Sequence, residues 1–285
     1  MGTDALTRLQ HAVAATRFGG GQRTFGSKVR ATGMLAFEDI VESLGREQRQ
    51  GVEDQAAELL DSGIDAVLLP EDAYPPRLGS SRHAPAALFV KGPVELLDQR
   101  AIGMCGSRQA SSEGLRAAFA CADAAARRRY CVVSGYARGV DLAAHTAALA
   151  GGGTTVIVLA EGISRFRIRQ GEFTELWDPQ RALVVSQFAP DQKWFASGAM
   201  ARNTVISGLS QALVVVEAGE TGGTLAAGEY ALQRGQTVLA LQLFDAPPGN
   251  AQLIANGAKV IHSRQHLETA LDDLDEDGSR QLMLI

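Results

Sequence analysis

Asp141 and His145 stand four residues apart just after a strand–glycine–helix junction, so a helix would carry both on one face. An Asp–His pair suggests acid–base chemistry or a metal. Neither is supported by its surroundings. No His, Cys or carboxylate cluster completes a metal set, and Ser134 lacks the GxSxG elbow of a nucleophile. The better reading is that Asp141 caps and orders the loop while His145 holds it in place. The junction itself carries the chemistry. An apolar run, Cys131 to Val133, stops at Ser134-Gly135, and Arg138-Gly139 leads into a helical pattern. That order presents backbone N–H groups and a positive helix end to an anion, most simply a phosphate.

Two further loops have the same character. Gly106-Ser107-Arg108 follows the apolar run Ala101–Cys105 and combines a close-approach glycine, a hydroxyl donor and a guanidinium fork. Gly222-Gly223-Thr224 follows the run Ala212–Glu217 and opens another helical pattern. Downstream, Arg165, Arg167 and Arg169 alternate with Phe166 and Ile168, so an extended segment would point the three arginines one way. Lys193, Trp194, Arg202 and Asn203 complete the candidate set, with Phe166 and Trp194 as stacking platforms. Arg127-Arg128-Arg129 falls at a helix end, where cations offset the dipole, and is left out.

The elements that must position these loops follow from the hydrophobic pattern. Strands are expected at Ile64–Leu69, Ala87–Val90, Ala101–Cys105, Cys131–Val133, Thr155–Leu159, Leu183–Ser186, Ala212–Glu217 and Thr237–Leu241, with a last one at Val260-Ile261. Several are continuous apolar runs, as burial on both faces requires. Helical patterns lie between the later ones. The expected fold is α/β: a Rossmann-like three-layer parallel sheet with a small N-terminal helical appendage. In such sheets ligands sit outside the carboxyl ends of the strands. Residues 1–62 read as the helical region, 63–265 as the Rossmann-like domain and 266–285 as an acidic, solvated and weakly ordered tail.

Composition narrows the function. The 285 residues are 46% hydrophobic and 21% charged, ordinary for a globular protein. A net charge of −5 argues against coating DNA through bulk charge, yet much of the acid lies in Glu268–Asp277, which leaves room for a local basic face. No run approaches a membrane span, the N-terminus lacks a signal core, and the three cysteines fit buried thiols in a reducing cytoplasm. There is no GxxxxGK[ST] and no GxGxxG with its following acid, so neither a P-loop enzyme nor a dehydrogenase is expected.

These pieces, in this order, resemble the DprA/Smf family of DNA-processing proteins. The resemblance rests on DAYPPRL at 72–78, LFVKG at 88–92, Gly106-Ser107-Arg108, the run Ser134–Asp141 with Ala144-His145, Arg202-Asn203, and Gly223-Thr224-Leu225 with Gly235. Family members usually read Arg-Asn-Arg where this chain reads Arg202-Asn203-Thr204, and Tyr-Pro where it reads Ser164-Arg165-Phe166. The resemblance implies a non-enzymatic single-stranded DNA binder that loads RecA, acts as a homodimer, and needs no cofactor or metal. Two alternatives stay open. One is a nucleotide-binding sensor. The other is a hydrolase of nucleoside monophosphates like the related LOG family, whose Gly-Gly-x-Gly-Thr-x-x-Glu loop would require an acid at Ala227; Glu229 stands about 200° further round the helix.

Overall fold

Nine strands form a single sheet among the described residues of a computed structural model, which cover 4–168, 171–244 and 247–282. The chain begins with α1 (Ala5–Phe18), α2 (Gln22–Thr32), α3 (Leu35–Glu42) and α4 (Arg46–Asp61). A lead-in follows: β1 (Asp65–Leu68), the short α5 (Pro76–Gly79) and β2 (Ala87–Lys91). Then strand and helix alternate: β3 (Ala101–Cys105), α6 (Ser112–Arg127), β4 (Cys131–Ser134), α7 (Val140–Ala150), β5 (Thr155–Val158), α8 (Gly171–Leu176) and β6 (Ala182–Ser186). The second half runs α9 (Ala196–Leu209), β7 (Ala212–Val215), α10 (Gly223–Gln233), β8 (Thr237–Leu241), α11 (Pro248–Ala255), β9 (Lys259–Ile261) and α12 (Arg264–Leu282).

The sheet order is β1-β2-β6-β5-β4-β3-β7-β8-β9. All pairs from β6 to β9 are parallel, whereas β1–β2 and β2–β6 are antiparallel. Successive residues of each central strand feed different cores, because side chains alternate across a sheet. Ile102, Met104, Val132 and Val214 pack with Ala118, Ala122, Ala144 and Leu271 of α6, α7 and α12. Cys105, Val133, Val156 and Val215 pack on the other face with Val205, Ile206, Leu225 and Leu253 of α9, α10 and α11. Burial on both faces explains the uninterrupted apolar runs. From β3 the chain winds outward through β4, β5 and β6, then crosses back by α9 to β7 on the other side of β3. The strand order reverses there, which opens a crevice at the carboxyl ends of β3 and β7.

The N-terminal helices share a core with the sheet. Leu9, Ala12 and Val13 of α1, Phe37 of α3 and Leu59 of α4 are buried against Leu68, Phe89, Ile157 and Val184. Arg8 reaches from α1 to the Asp65 carboxylate at 2.5 Å.

The segment expected to be a solvated acidic tail is corrected to a helix with one buried face. Leu267, Ala270 and Leu271 recur at helical spacing and pack on the α6–α7 layer. Its acids meet cations, Asp272 lying 3.0 Å and Glu268 3.6 Å from Arg128, and Arg264 of the same helix pairs with Asp123 of α6 at 3.1 Å. Arg128 is thereby engaged away from the sheet edge.

Candidate nucleic-acid interface

The three loops meet at the carboxyl ends of β3, β4 and β7 and are tied directly to one another by hydrogen bonds. Val140 N donates to Ser107 O at 3.3 Å, and Thr224 Oγ1 donates to Gly106 O at 3.1 Å. Glu217, at the end of β7, is buried and accepts both the N–H (3.0 Å) and the hydroxyl (2.5 Å) of Ser111 beyond the first loop. Ser111 in turn caps α6 through Gly114 N at 2.9 Å. Asn250, also buried, accepts Ala218 N at 2.7 Å and donates to Val216 O and Leu241 O. Sequence reasoning marked Glu217 only as a strand end leading into the third loop, and it missed both Glu217 and Asn250 as loop clamps.

Glycine has a steric role at two points. A Cβ on Gly135 would lie 1.7 Å from Arg202 Nη1. Gly139 has φ of +80°, and a Cβ there would lie 2.3 Å from Ser107 O. Together they let the second loop press against the first loop and against α9.

Two adjoining recesses result. One, of about 410 Å3, is lined by Gly106, Ser107, Arg108, Asp141, Arg202, Asn203, Gly223 and Thr224. The next, of about 440 Å3, shares Arg108 and Arg202 and adds Arg138, Tyr136 and Trp194. Eight of the sixteen binding residues expected from the sequence therefore line one groove. Ser107 Oγ accepts from Gln109 N at 3.0 Å and keeps its own proton to donate. Arg108 is exposed, with its guanidinium 5.3 Å from the centre of the half-exposed Trp194 ring. Asn203 Nδ2 reaches Gly223 O at 3.2 Å, and Gly222 begins α10 at φ of +110°. Arg138 is exposed on this lining, and Lys193 is exposed but lines neither recess.

Arg202 is the unusual member. It is 7% exposed, its Nη1 lies 3.6 Å from Asp141 Oδ2, and its Nε makes no hydrogen bond among the described residues. Asp141 balances the charge of this buried guanidinium, and the unused Nε is a donor to spare in a side chain that lines both recesses.

Several expectations are corrected. Ser134 is buried and its hydroxyl donates to Met104 O at 2.7 Å, so it does not face the groove. Asp141 is not the cap of α7, a position Gly139 holds; its carboxylate accepts Ala137 N at 3.3 Å. Arg165 and Arg167 do not line up, because Ile163–Arg165 is a 3-10 turn. Arg165 lies 3.6 Å from Glu161, and Arg167 donates to the carbonyls of Ser164 and Phe166. Arg169 lies outside the described residues. Phe166 is no free platform: its ring packs 5.2 Å from Tyr136 and 5.8 Å from Trp177.

His145 is fully buried, bonding Gly135 O through Nε2 and Thr155 Oγ1 through Nδ1 at 2.6 Å. Burial pushes its pKa down to about 4, against the smaller opposing pull of the Gly135 carbonyl and Asp141. A neutral ring donates from Nε2 to the carbonyl, so Nδ1 accepts the Thr155 hydroxyl proton. Cys105 lines the groove, but burial drives its thiol up to about 12, leaving no thiolate to attack a substrate. Among the described residues no three His, Cys, Asp or Glu side chains group as metal ligands. Glu229, the acid a LOG-like hydrolase would need, accepts Gln252 Nε2 of α11 at 2.9 Å and is absent from the groove lining.

A doubly wound sheet with glycine-containing loops at its switch point defines the class: a Rossmann-like α/β protein. Residues 65–272 match the family model of DNA recombination-mediator protein A, and the chain belongs to that family. It is 32% identical to the DNA processing protein DprA of Streptococcus pneumoniae over 198 residues, 68% of this chain and 70% of that one. The X-ray structure of DprA from the same organism superposes with a TM-score of 0.72 at 27% identity, covering 93% of this chain and 97% of that one. DNA processing protein A from Helicobacter pylori, whose structure describes a single-stranded DNA binding mode, superposes with a TM-score of 0.63 at 21% identity, covering 74% of this chain and 96% of that one.

Proposed function

We propose that this chain binds single-stranded DNA along the carboxyl edge of its sheet and serves as a recombination mediator rather than an enzyme. The single observation that carries the reading is Arg202, buried beside the groove with an unbonded Nε. Around it the groove offers what a phosphodiester backbone needs: loop N–H groups, the Ser107 hydroxyl and the exposed guanidinium of Arg108. Trp194 adds an aromatic face on which a base of any identity can stack. The H. pylori relative, which binds single-stranded DNA, has the same fold.

As finer parts of the proposal, the chain works in the cytoplasm as a homodimer and passes its strand to a RecA-type recombinase. Among the described residues no helix is long and apolar enough to cross a membrane. The test is a salt titration of fluorescent oligo-dT on the full chain, with AMP as competitor. Oligonucleotide affinity is expected to fall steeply with salt, and AMP is expected to compete poorly. Tight AMP binding with no binding of the oligonucleotide would instead make the groove a mononucleotide sensor site.

A further inference from the structure

Helix α9 separates the groove from a second recess of about 490 Å3 on the α9–α10 side of the sheet. Its walls include His83, Thr204, Ala227 and Tyr230, and it shares Met200 and Asn203 with the groove. The two recesses are therefore neighbours across one turn of α9. The His83 and Tyr230 rings lie 6.3 Å apart at 54°. Packed on each other, they form one aromatic wall beside small side chains, with Asn203 shared between the two recesses.

The rim is basic. Arg82 Nε donates to His83 Nε2 at 3.1 Å, and Arg234 lies over the Tyr230 ring at 5.6 Å while bonding its hydroxyl at 3.3 Å. Ser81 Oγ approaches that hydroxyl at 3.5 Å, and Arg30 Nη1 donates to Gly79 O at 3.0 Å. Arg77 completes the group; partial burial, and then the like charge of Arg234, hold it below the usual arginine pKa. Among the described residues none of these four guanidiniums has a carboxylate within 4.0 Å. Like charges gathered without a counter-ion favour an anionic partner.

We propose that this recess is a second nucleotide subsite: a base of the bound strand packs in the recess against the joined His83 and Tyr230 rings, and adjacent phosphates lie on the arginine rim. The subsite rests on the single-stranded DNA reading and extends it from the sheet edge across α9. A strand is the occupant because the recess continues the groove and pairs an aromatic wall with cations, as strand-binding surfaces do.

The test uses the full chain and three probes: oligo-dT, an oligomer of the same length made of abasic units, and an oligo-dT carrying 5-iodouracil for photocrosslinking. Tyr230→Ala is expected to weaken oligo-dT binding by about 5-fold to about 150-fold, the range of one lost base stack, and to leave abasic binding near wild type. Tyr230→Phe keeps the ring and should retain oligo-dT affinity, which separates stacking from misfolding. Arg82→Ala with Arg234→Ala, both exposed in the wild type, should lower the salt slope by about 1.4 for the two lost phosphate contacts. Crosslinks should map to the peptides holding His83 or Tyr230. Wild-type oligo-dT binding with unchanged affinity in Tyr230→Ala, an unchanged slope in the double variant and crosslinks confined to the sheet edge would overturn this subsite alone. Failure of the wild type to bind oligo-dT would overturn the parent reading as well.

Discussion

Arg202 and Gly135 occupy what is in effect one site: the guanidinium Nη1 stands 1.7 Å from where a Cβ on residue 135 would be. The Gly135 carbonyl is at the same time held by buried His145. The glycine is therefore fixed from behind by an imidazole and overlaid in front by the cation. Gly135→Ala is expected to evict the Arg202 side chain while leaving the sheet intact. Oligonucleotide affinity should drop about tenfold or more, the scale of one lost charge-assisted contact. Anisotropy titration beside a thermal melt checks it; a folded Gly135→Ala protein with unchanged affinity would remove Arg202 from the interface.

Arg108 and Trp194 form a pair on the outer lip of the groove, at 5.3 Å. Arg108→Ala should weaken binding across all sequences and lower the salt slope by about 0.7, one phosphate on a single strand. Arg108→Lys should recover the slope but only part of the affinity, because an ammonium lacks the planar stack and the fork. Trp194→Ala should reduce affinity without changing the slope. If both substitutions alter slope and affinity together, the pair acts as a unit and the separation into phosphate and base contacts fails.

The strands were legible because burial on both faces demands unbroken apolar runs, as in Cys131–Val133 and Ala212–Val216. The three loops were legible because glycine and a polar or cationic residue closely follow those runs. Ser134 was misread although the alternation held a clue. Val132 faces the α6–α7 layer, and Ser134, two residues on, faces the same way and meets Met104. The antiparallel lead-in was not legible, since β1 and β2 look alike in either direction. The recess walled by His83 and Tyr230 joins residues from opposite ends of the sheet domain's sequence, and nothing local announces such a meeting. Residues 266–282 misled through composition: the acidic run Glu268–Asp277 hid the spacing of Leu267, Ala270 and Leu271.

That last helix yields a clean contrast in energetics. Leu271 is fully buried, and Tyr130 Oη donates to its carbonyl at 3.2 Å. Leu271→Ala should destabilise the protein by about 2–5 kcal/mol. Asp272→Asn removes a partly exposed ion pair with Arg128 and should change stability by less than about 1 kcal/mol. Urea unfolding of both variants decides; equal and negligible effects would mean that the helix detaches in solution and the segment is solvated after all.

Acid should weaken the whole fold through His145. His145 titrates at about 4 when folded because burial disfavours its charge, against about 6.5 in the unfolded chain. Its folded-state pKa is depressed, so the unfolded chain binds more protons between those values. Stability is thus fully present above about pH 6.5 and falls as pH drops toward about 4, by up to roughly 3 kcal/mol from this residue. His11, also lowered by burial, adds to the same trend. A His145→Gln variant loses baseline stability but cannot titrate, so its urea midpoint should vary less across this window than the wild type's. Protonation also requires the Thr155 hydroxyl to turn away from Nδ1, and it has the Val132 carbonyl at 2.7 Å to accept it. The folded site can therefore admit a proton without breaking the Gly135 contact, and DNA affinity should follow global unfolding rather than precede it. Loss of oligo-dT binding at a pH where circular dichroism still reports the native fold would show that the loop opens first.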